Sequence, residues 1–276
     1  MLLELLTAIL LGILAGTFTG LSPGIHINLV GSVLLSLSTS IFLRINPIIF
    51  VTFIVAMSVV HTFTDFIPSI YLGAPQDGTE LSVLPGHELL KKGRAHEAVL
   101  ITLLGSLVAI FLIILLSPLL IFSIPKLNLL IKPIIPFLLI IISIFLIYQE
   151  KNKIFSALLV FILAGILGFI TLNLEIKEPL LPLLTGLFGA SSLIISIKQK
   201  TKIPEQKIPS IKKIRITKKE LLSSGIFSTF FSSVLGFLPA IGSGQIAVIS
   251  SSFKKINNKQ FLFSLGLINP FMMILS

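Results

Sequence analysis

Two short segments decide the fold of this chain: Gly20–Ile25, which reads GLSPGI, and Gly236–Ile241, which reads GFLPAI. They lie 216 residues apart, each inside a very apolar stretch, and their similarity extends upstream without a gap. Proline removes a backbone donor and clashes with the preceding helical turn, while glycine permits the dihedrals of a sharp turn. Each segment therefore predicts a membrane helix that is broken at proline. Paired broken helices at equivalent positions of two halves are typical of secondary transporters.

The composition of the chain is that of a membrane protein. Hydrophobic residues make up 54%, charged residues 12%, and the mean hydropathy is +1.07, whereas a soluble domain carries about 25% charged residues. The absence of cysteine excludes disulfides, thiol catalysis and cysteine-ligated metals. Most of the net charge of +10 lies in short loops, where Lys and Arg orient a membrane protein. Nucleic acid is therefore not an expected partner.

The apolar segments predict an all-α polytopic membrane protein. Only helices and closed barrels satisfy the backbone in lipid, and the alternating pattern of a membrane barrel is absent from the sequence. A hydrophilic loop, Gly73–Glu97, and a basic loop, Lys198–Lys219, separate the helical segments. The segments are predicted at Leu5–Ser22, Ile27–Leu43, Ile45–Leu72, Ala98–Phe122, Pro133–Tyr148, Ile154–Asn173, Pro179–Ile197, Glu220–Leu238, Gly242–Phe253 and Phe261–Ser276.

The basic loop sets the predicted orientation. Lys198–Lys219 holds nine Lys and Arg residues against the single acid Glu205, which places this loop in the cytoplasm. Counting spans backward places the Gly73–Glu97 loop in the cytoplasm as well. Glu220 then enters the membrane from the cytoplasm and its counterpart Glu4 enters from outside. The sequence therefore predicts an inverted-topology repeat with two re-entrant-like helical hairpins, broken at Pro-Gly.

The two predicted repeats are unequal in length. Residues 1–219 form the first repeat, and residues 220–276 form a second repeat that stops inside an apolar stretch at Ser276. The sequence therefore predicts a C-terminally truncated or fragmentary protein. Its predicted location is the plasma membrane, which it crosses several times and where lipids surround it.

The two breaks are the predicted substrate site. A helix that starts just after a break directs unpaired N–H groups and the positive end of its dipole at the break, and such helix starts bind anions. Polar side chains follow both prolines and offer hydrogen bonds to carboxylate or hydroxyl oxygens. The alternative is a kinked helix that packs on its neighbours, with the polar residues as helix caps. The predicted substrate-binding residues are Ser22, Pro23, Gly24, His26, Asn28, Pro239, Gly242, Ser243, Gly244 and Gln245.

Two ionisable residues lie inside a predicted span. His61 and Asp65 are four residues apart in Ile45–Leu72 and share a helix face, and ionisable residues at such depth often mark ion or proton paths. They are candidates for coupling to Na⁺ or H⁺, unless the span ends earlier and Asp65 lies at the interface. No cofactor and no metal site is predicted, because the acids and histidines of Gly73–Glu97 lack a recognised ligand spacing. No enzyme is predicted either, since the sequence holds no catalytic constellation and no P-loop.

Four stretches carry a family resemblance: GTFTGLSPGIHINLV at Gly16–Val30, PSIYLGAPQDGTELSVLPGHELLKKGRAHEAV at Pro68–Val99, FLPAIGSGQIAV at Phe237–Val248 and SLGLINP at Ser264–Pro270. On these stretches the chain resembles the large membrane subunit of tripartite tricarboxylate transporters, the TctA-type permeases, in their archaeal branch. The second break has Pro-Ala where Pro-Gly is typical. The resemblance implies a two-repeat permease that takes up small organic carboxylates by ion coupling. It also implies a small membrane subunit and an extracytoplasmic binding protein as partners.

Three functions remain open at this point. A permease for a small anionic substrate is the leading hypothesis. The second is a polyprenyl-phosphate translocase, in which the same helix starts would bind the lipid phosphate. Basic residues near the breaks would favour this function, and the sequence has none close to either break. The third is a scaffold without transport activity, in which both breaks would tolerate ordinary helix formers.

Overall fold

The structure, a computed structural model, describes residues 1–23, 25, 30–31, 46–75, 78–175, 179, 183, 185–198, 204–209, 216–236, 238, 241–254 and 256–275. Within these residues the chain forms helices and turns and no strand, which confirms the predicted all-helical class. The described α-helices are α1 (Leu2–Leu21), α2 (Pro47–Thr64), α3 (Phe66–Leu72), α4 (Val83–Leu90), α5 (Ala95–Ile131), α6 (Ile135–Gln149), α7 (Ile154–Leu172), α8 (Ser191–Lys198), α9 (Lys218–Leu235), α10 (Ser243–Ser252) and α11 (Asn258–Leu275).

Five helical segments in the described part of the chain are long and apolar enough to cross a membrane. They are Leu2–Leu21, Pro47–Leu72, Ala95–Ser123, Leu129–Gln149 and Lys151–Leu172. The last two have no buried residue in their most apolar stretch. Helices that are apolar all round and exposed within their own chain fit lipid as their surroundings. Together with the composition, these segments confirm a membrane protein.

Helix α1 ends where the first predicted break begins. Its last residue is Leu21, and the next residue, Ser22, has an extended backbone. The Ser22 N–H donates to Thr19 O at 3.4 Å. Pro23 follows in a turn and is exposed. The helix therefore stops just before the proline, as the loss of a backbone donor there requires.

Close contact between α1 and α2 depends on glycine. Gly12, Gly16 and Gly20 lie one turn apart on α1 and face α2; a methyl group at Gly16 would lie only 2.3 Å from Met57 O. Thr64 Oγ1 donates to Gly16 O at 3.4 Å, across the same contact. Small residues of this kind let membrane helices approach until their backbones touch.

The core of the chain lies between α5 and α11. Their backbones meet at two glycines: a methyl group at Gly105 would lie 2.3 Å from Phe263 O, and one at Gly266 would lie 2.2 Å from Thr102 O. Ser106 Oγ donates to Gly266 O at 2.9 Å and links the two helices. Fully buried side chains around this crossing include Phe66, Ile70, Ile101, Ile246, Leu262, Leu265 and Ile268.

We expect Gly266→Ala to lower the free energy of unfolding by about 1–3 kcal/mol, because its methyl group forces α5 and α11 apart. Gly165→Ala in α7 is the matched control: nothing lies within 4 Å of the added methyl group, and alanine favours the helix. The check is the thermal midpoint Tm of both purified variants in detergent. Equal Tm values for the two would contradict the packing described for α5 and α11.

The starts of α5, α9 and α11 lie at one end of the molecule, which we call the loop end. Glu97 of α5 is buried and forms ion pairs with Lys259 of α11, Oε1 to Nζ 2.8 Å, and with Arg94, Oε2 to Nη2 2.7 Å. Asn257, just before α11, donates from Nδ2 to Glu220 Oε1 of α9 at 3.0 Å. These contacts connect the starts of α5, α9 and α11.

The basic loop contacts the hydrophilic loop at the same end. The Lys207 N–H donates to Gly93 O at 2.9 Å. The Ala95 N–H donates to Gln206 Oε1 at 3.0 Å. These hydrogen bonds join residues more than a hundred positions apart, so the described part of both loops lies on one side of the helices.

The Gly73–Glu97 segment differs from the predicted hydrophilic loop, because some of its polar side chains are buried. Thr79 and Ser82 are fully buried. Ser69 of α3 donates from Oγ to Thr79 O at 3.1 Å, and its Oγ lies 2.7 Å from Ser82 Oγ. Helix α4 occupies the next part of the segment. The turn before α4 is therefore part of the packed interior.

Part of the predicted architecture lies outside the described residues. The segment at Ile27–Leu43 is described only at 30–31, and the second break only at its edges, 236, 238 and 241–242. The inverted-topology relation between the two breaks stays a prediction.

Candidate functional site

The start of α10 is the first component of the candidate site. Helix α9 ends at Leu235 and α10 begins at Ser243, so these boundaries bracket the second predicted break. The Gly242 N–H donates to Gln245 Oε1 at 3.0 Å, which caps the helix start. Ser243 is buried, and its Oγ donates to Gly78 O in the turn before α4. The beginning of α10 is thus tied to the inward-folded turn of the other half of the chain.

The turn at Gly78 requires glycine. Its φ is +90°, a left-handed conformation that side chains rarely adopt. A methyl group there would lie 2.7 Å from Asn269 Oδ1 and 2.8 Å from Ser243 Oγ. The Gly78 N–H donates to both carboxylate oxygens of Glu80 at 3.1 Å. The side-chain oxygens of Asn269 and Ser243, the Gly78 carbonyl and the Glu80 carboxylate therefore lie close together at this turn.

Asp65 is an ionisable group that Asn269 links to this arrangement. It lies between α2 and α3, and 2% of its surface is exposed. Asn269 of α11 donates from Nδ2 to Asp65 Oδ2 at 2.9 Å. Asp65 Oδ1 is buried and has no hydrogen-bond partner in the described part of the chain. A buried carboxylate oxygen without a partner is costly in a low-dielectric interior, so this group calls for a function.

His61 and Asp65 contact different helices. Its Nδ1 is 2.9 Å from Thr19 Oγ1 of α1, and both side chains are buried. The backbone oxygen of Thr19 also accepts a hydrogen bond from the Ser22 N–H. His61 therefore connects α2 to the end of α1, beside the first predicted break, while Asp65 connects to α11.

The second break is close to a cavity that opens between α4 and the pair α10–α11. The cavity has a volume of about 470 Å³. The turn before α4 separates it from Ser243: Leu81 lines the cavity and also lies 3.2 Å from a methyl group built at Gly244. Leu81 and the Gly78 turn therefore stand between the cavity and the start of α10. Other lining residues are Leu84, Pro85, Glu88, Val248, Ser251, Ile256, Asn258 and Phe261.

The predicted site residues fall into four groups. Gly242, Ser243, Gly244 and Gln245 gather at the start of α10, and Ser22 and Pro23 lie at the end of α1. Gly24, His26, Asn28 and Pro239 lie outside the described residues. His61 and Asp65 connect to these two regions separately, His61 to α1 and Asp65 to α11.

Four residues of the site were not predicted from the sequence: Thr19, Gly78, Glu80 and Asn269. Asn269 had a usable signal, because an amide followed by Pro270 interrupts an otherwise apolar helix, and polar groups in such helices are costly. Gly78 and Glu80 had none, since a Gly-Thr-Glu stretch in a polar segment is an ordinary surface turn in most proteins.

Comparison with known proteins finds similarity in sequence and none to a solved structure. No solved structure matches the chain. An uncharacterized protein of Methanocaldococcus jannaschii is 32% identical over 270 residues, covering 94% of this chain and 64% of that protein, so the chain spans less than two thirds of its relative's length.

The family match covers most of the site and ends two residues before Asn269. The sequence profile described as the tripartite tricarboxylate transporter TctA family matches residues 6–267, which take in Asp65, the Gly78 turn and all of α10. The resemblance inferred from the sequence is thereby confirmed: the chain belongs to the tripartite tricarboxylate transporter TctA family.

Proposed function

We propose that this chain is a secondary active transporter, a permease for small organic carboxylates that is coupled to Na⁺ or H⁺. The observation that carries the proposal is the meeting of Asp65, Asn269 and the start of α10 at the Gly78 turn. Ionisable residues inside membrane spans mark ion or substrate paths by default. Irregular backbone at membrane depth is tolerated only where protein or a water-filled cavity satisfies it.

Helix lengths support a site near the membrane midplane. Helix α10 has 10 residues, so its start is about 15 Å from its end at 1.5 Å per residue. Its end is near the loop end, because α11 begins six residues later at Asn258. Asn269 lies 11 residues into α11, about 17 Å along its axis. Both values are about half of a hydrocarbon core of roughly 30 Å.

The start of α10 is the proposed anion-binding element. Helix N-termini carry partial positive charge and bind carboxylates without a buried cation. Gly242 and Gly244 let a ligand approach the backbone, and Ser243 adds a hydroxyl. Because Leu81 packs against Gly244, the substrate reaches this element only when the turn that holds Leu81 moves away. We propose that Ser22, Pro23, Gly24, His26 and Asn28 form the opposite wall, and that His61 supports it through α1.

Partners and location follow from the same proposal. As a subunit of a tripartite system, the chain works with a small membrane subunit and an extracytoplasmic binding protein in the plasma membrane. We place the loop end, with the basic loop, in the cytoplasm. The cavity between α4 and α10–α11 opens from that end and serves as the cytoplasmic route to the site.

A single cysteine tests the orientation. Ile208 lies in the described part of the basic loop and is 80% exposed, and the chain has no native cysteine. We expect Ile208→Cys to resist an impermeant thiol reagent in intact cells and to react after the membrane is opened. Full labelling in intact cells would place the loop end outside.

Substrate binding tests the proposed function directly. We expect citrate and smaller di- or tricarboxylates to raise the Tm of the purified chain in a saturable way, since a ligand that binds only the folded state stabilises it. Uncharged sugars of similar size are the control. Stabilisation by a polyprenyl phosphate and not by carboxylates would favour the lipid-carrier translocase. Stabilisation by neither would favour the scaffold.

A further inference from the structure

We propose that the Glu80 carboxylate is an intramolecular competitor of the substrate: it lies beside the start of α10 and must leave when a substrate carboxylate binds there. The inference rests on the proposed function, since it concerns the regulation of the same anion-binding element. The family match assigns no role to Glu80.

Two residues of the turn before α4 cover the start of α10. Apart from the backbone of α10 and the two residues next to Gly244, the three heavy atoms nearest to a methyl group built at Gly244 belong to them. These atoms are Leu81 Cδ1 at 3.2 Å, Leu81 Cγ at 3.3 Å and Glu80 Oε2 at 4.0 Å. Gly244 is buried and is the second residue of α10. A carboxylate oxygen of the chain itself therefore lies against the first turn of α10, the part of a helix that attracts anions.

The start of α10 has backbone donors to offer. The first N–H groups of an α-helix have no partner inside the helix. The Gly242 N–H donates to Gln245 Oε1, whereas the N–H groups of Ser243 and Gly244 donate no hydrogen bond within the described part of the chain. Both residues are buried, and buried N–H groups without an acceptor are costly. Glu80 brings negative charge to this turn and leaves these two donors to another acceptor.

The Gly78 turn keeps the Glu80 carboxylate in place. The Gly78 N–H donates to both of its oxygens at 3.1 Å, and the Gly78 carbonyl accepts from Ser243 Oγ. Negative charge near a helix N-terminus is stabilising, so the charge of Glu80 favours this arrangement. Glu80 thus helps to hold Leu81 over Gly244 while no substrate is bound.

Binding of a substrate opposes this arrangement. A second carboxylate at the first turn of α10 is repelled by Glu80, because like charges at short distance disfavour each other. A substrate that accepts hydrogen bonds from the N–H groups of Ser243 and Gly244 makes bonds that Glu80 does not make. It therefore displaces Glu80, and Leu81 moves with it. The work of displacement lowers the apparent affinity for the substrate, so removal of the Glu80 charge should tighten binding.

Chemical rescue tests the contact without a substrate. The Tm of the whole purified chain is measured in potassium acetate and in potassium chloride at equal ionic strength and pH. Three proteins are compared: the natural sequence, Glu80→Ala and Glu88→Ala. Glu88 is the matched control, since it is also a carboxylate of this segment but accepts from Asn258 Nδ2, at 2.6 Å. Acetamide, which has the shape of acetate and no charge, is the second control.

We expect acetate to raise the Tm of Glu80→Ala in a saturable way and by more than it raises the Tm of the other two proteins. The reason is that acetate takes the place of the missing carboxylate and binds only the folded state. Acetamide should have no such effect. Equal acetate shifts in all three proteins would overturn the proposal, and so would an equal shift of Glu80→Ala with acetamide.

Substrate affinity is the second measurement, made on Glu80→Gln, which keeps the shape of the side chain and loses its charge. We expect the citrate concentration that gives half of the full Tm shift to fall about two- to tenfold, as removal of a competing charge at a helix start predicts. An unchanged or higher concentration would overturn the proposal. This second variant decides if Glu80→Ala cannot be purified.

The two measurements separate the role of Glu80 from the proposed function. If citrate stabilises the natural sequence and acetate has no specific effect on Glu80→Ala, the permease stands and the role of Glu80 is rejected. If acetate rescues Glu80→Ala but no larger carboxylate stabilises any of the proteins, the contact of Glu80 with α10 is structural only. Both the competition and the permease are then rejected.

Discussion

Carboxylate uptake into liposomes is expected to fall about 10- to 100-fold when Asp65 is replaced by asparagine, the range that loss of one charge-assisted contact produces. The substitution keeps the shape of the side chain and lets Asn269 still donate to an oxygen. It removes the charge that, under the proposed function, acts in ion coupling. Because the natural carboxylate carries an oxygen without a hydrogen-bond partner in the described residues, Asp65→Asn should fold with an equal or higher Tm in sodium-free buffer.

Glu97→Gln is the contrasting control for Asp65→Asn. Glu97 is also a buried carboxylate, but it is paired with Arg94 and Lys259 at the loop end. Removing its charge leaves two partly exposed cations without their acceptor, which destabilises by about 1–3 kcal/mol. We therefore expect Glu97→Gln to lose stability and to keep uptake per folded molecule. Normal uptake in Asp65→Asn, or equal loss of uptake in both variants, would separate Asp65 from the transport mechanism.

Gly78→Ala is expected to lower uptake severely and to reduce the free energy of unfolding by about 1–3 kcal/mol. Its left-handed φ is strained for alanine, and its methyl group meets Asn269 Oδ1 and Ser243 Oγ at 2.7 and 2.8 Å. Asn269 and Ser243 must move apart, which pulls α10 and α11 away from the turn. The check is uptake normalised to the amount of folded protein, together with Tm.

Gly93→Ala is the matched control for Gly78→Ala. Gly93 also has a positive φ, +69°, and its methyl group would lie 2.8 Å from Glu205 O. It lies at the loop end and not at the Gly78 turn, where the start of α10 is bound. We expect a comparable loss of stability and no loss of normalised uptake. If both variants lose uptake equally, backbone strain alone explains the effect and the Gly78 turn has no special role.

The sequence predicted the helices better than it predicted how they meet. The second break illustrates the prediction of helices. The start of α10 follows from glycine and serine, which favour helix starts, whereas α9 ends at Leu235, three residues before the predicted end at Leu238. The predicted α10 boundaries, Gly242–Phe253, differ from the structure by one residue at each end. These features are local, so the local sequence determines them.

The contacts that form the site could not be predicted in this way. Asp65 and Asn269 are 204 residues apart, and nothing local to either residue indicates its partner. The segment containing Thr79 and Ser82 was interpreted as a hydrophilic loop because polarity averaged over a segment cannot distinguish polar groups in water from polar groups bonded to one another. Its inward fold depends on hydrogen bonds from Ser69 in a different helix.

The most direct test of the permease proposal is uptake of a radiolabelled tricarboxylate into liposomes that contain only this chain, with and without an imposed sodium gradient. The account predicts saturable uptake above that of protein-free liposomes, faster with the gradient, and slower when unlabelled citrate competes. Uptake equal to that of protein-free liposomes for every small carboxylate, from a chain that is folded and correctly inserted, would contradict it.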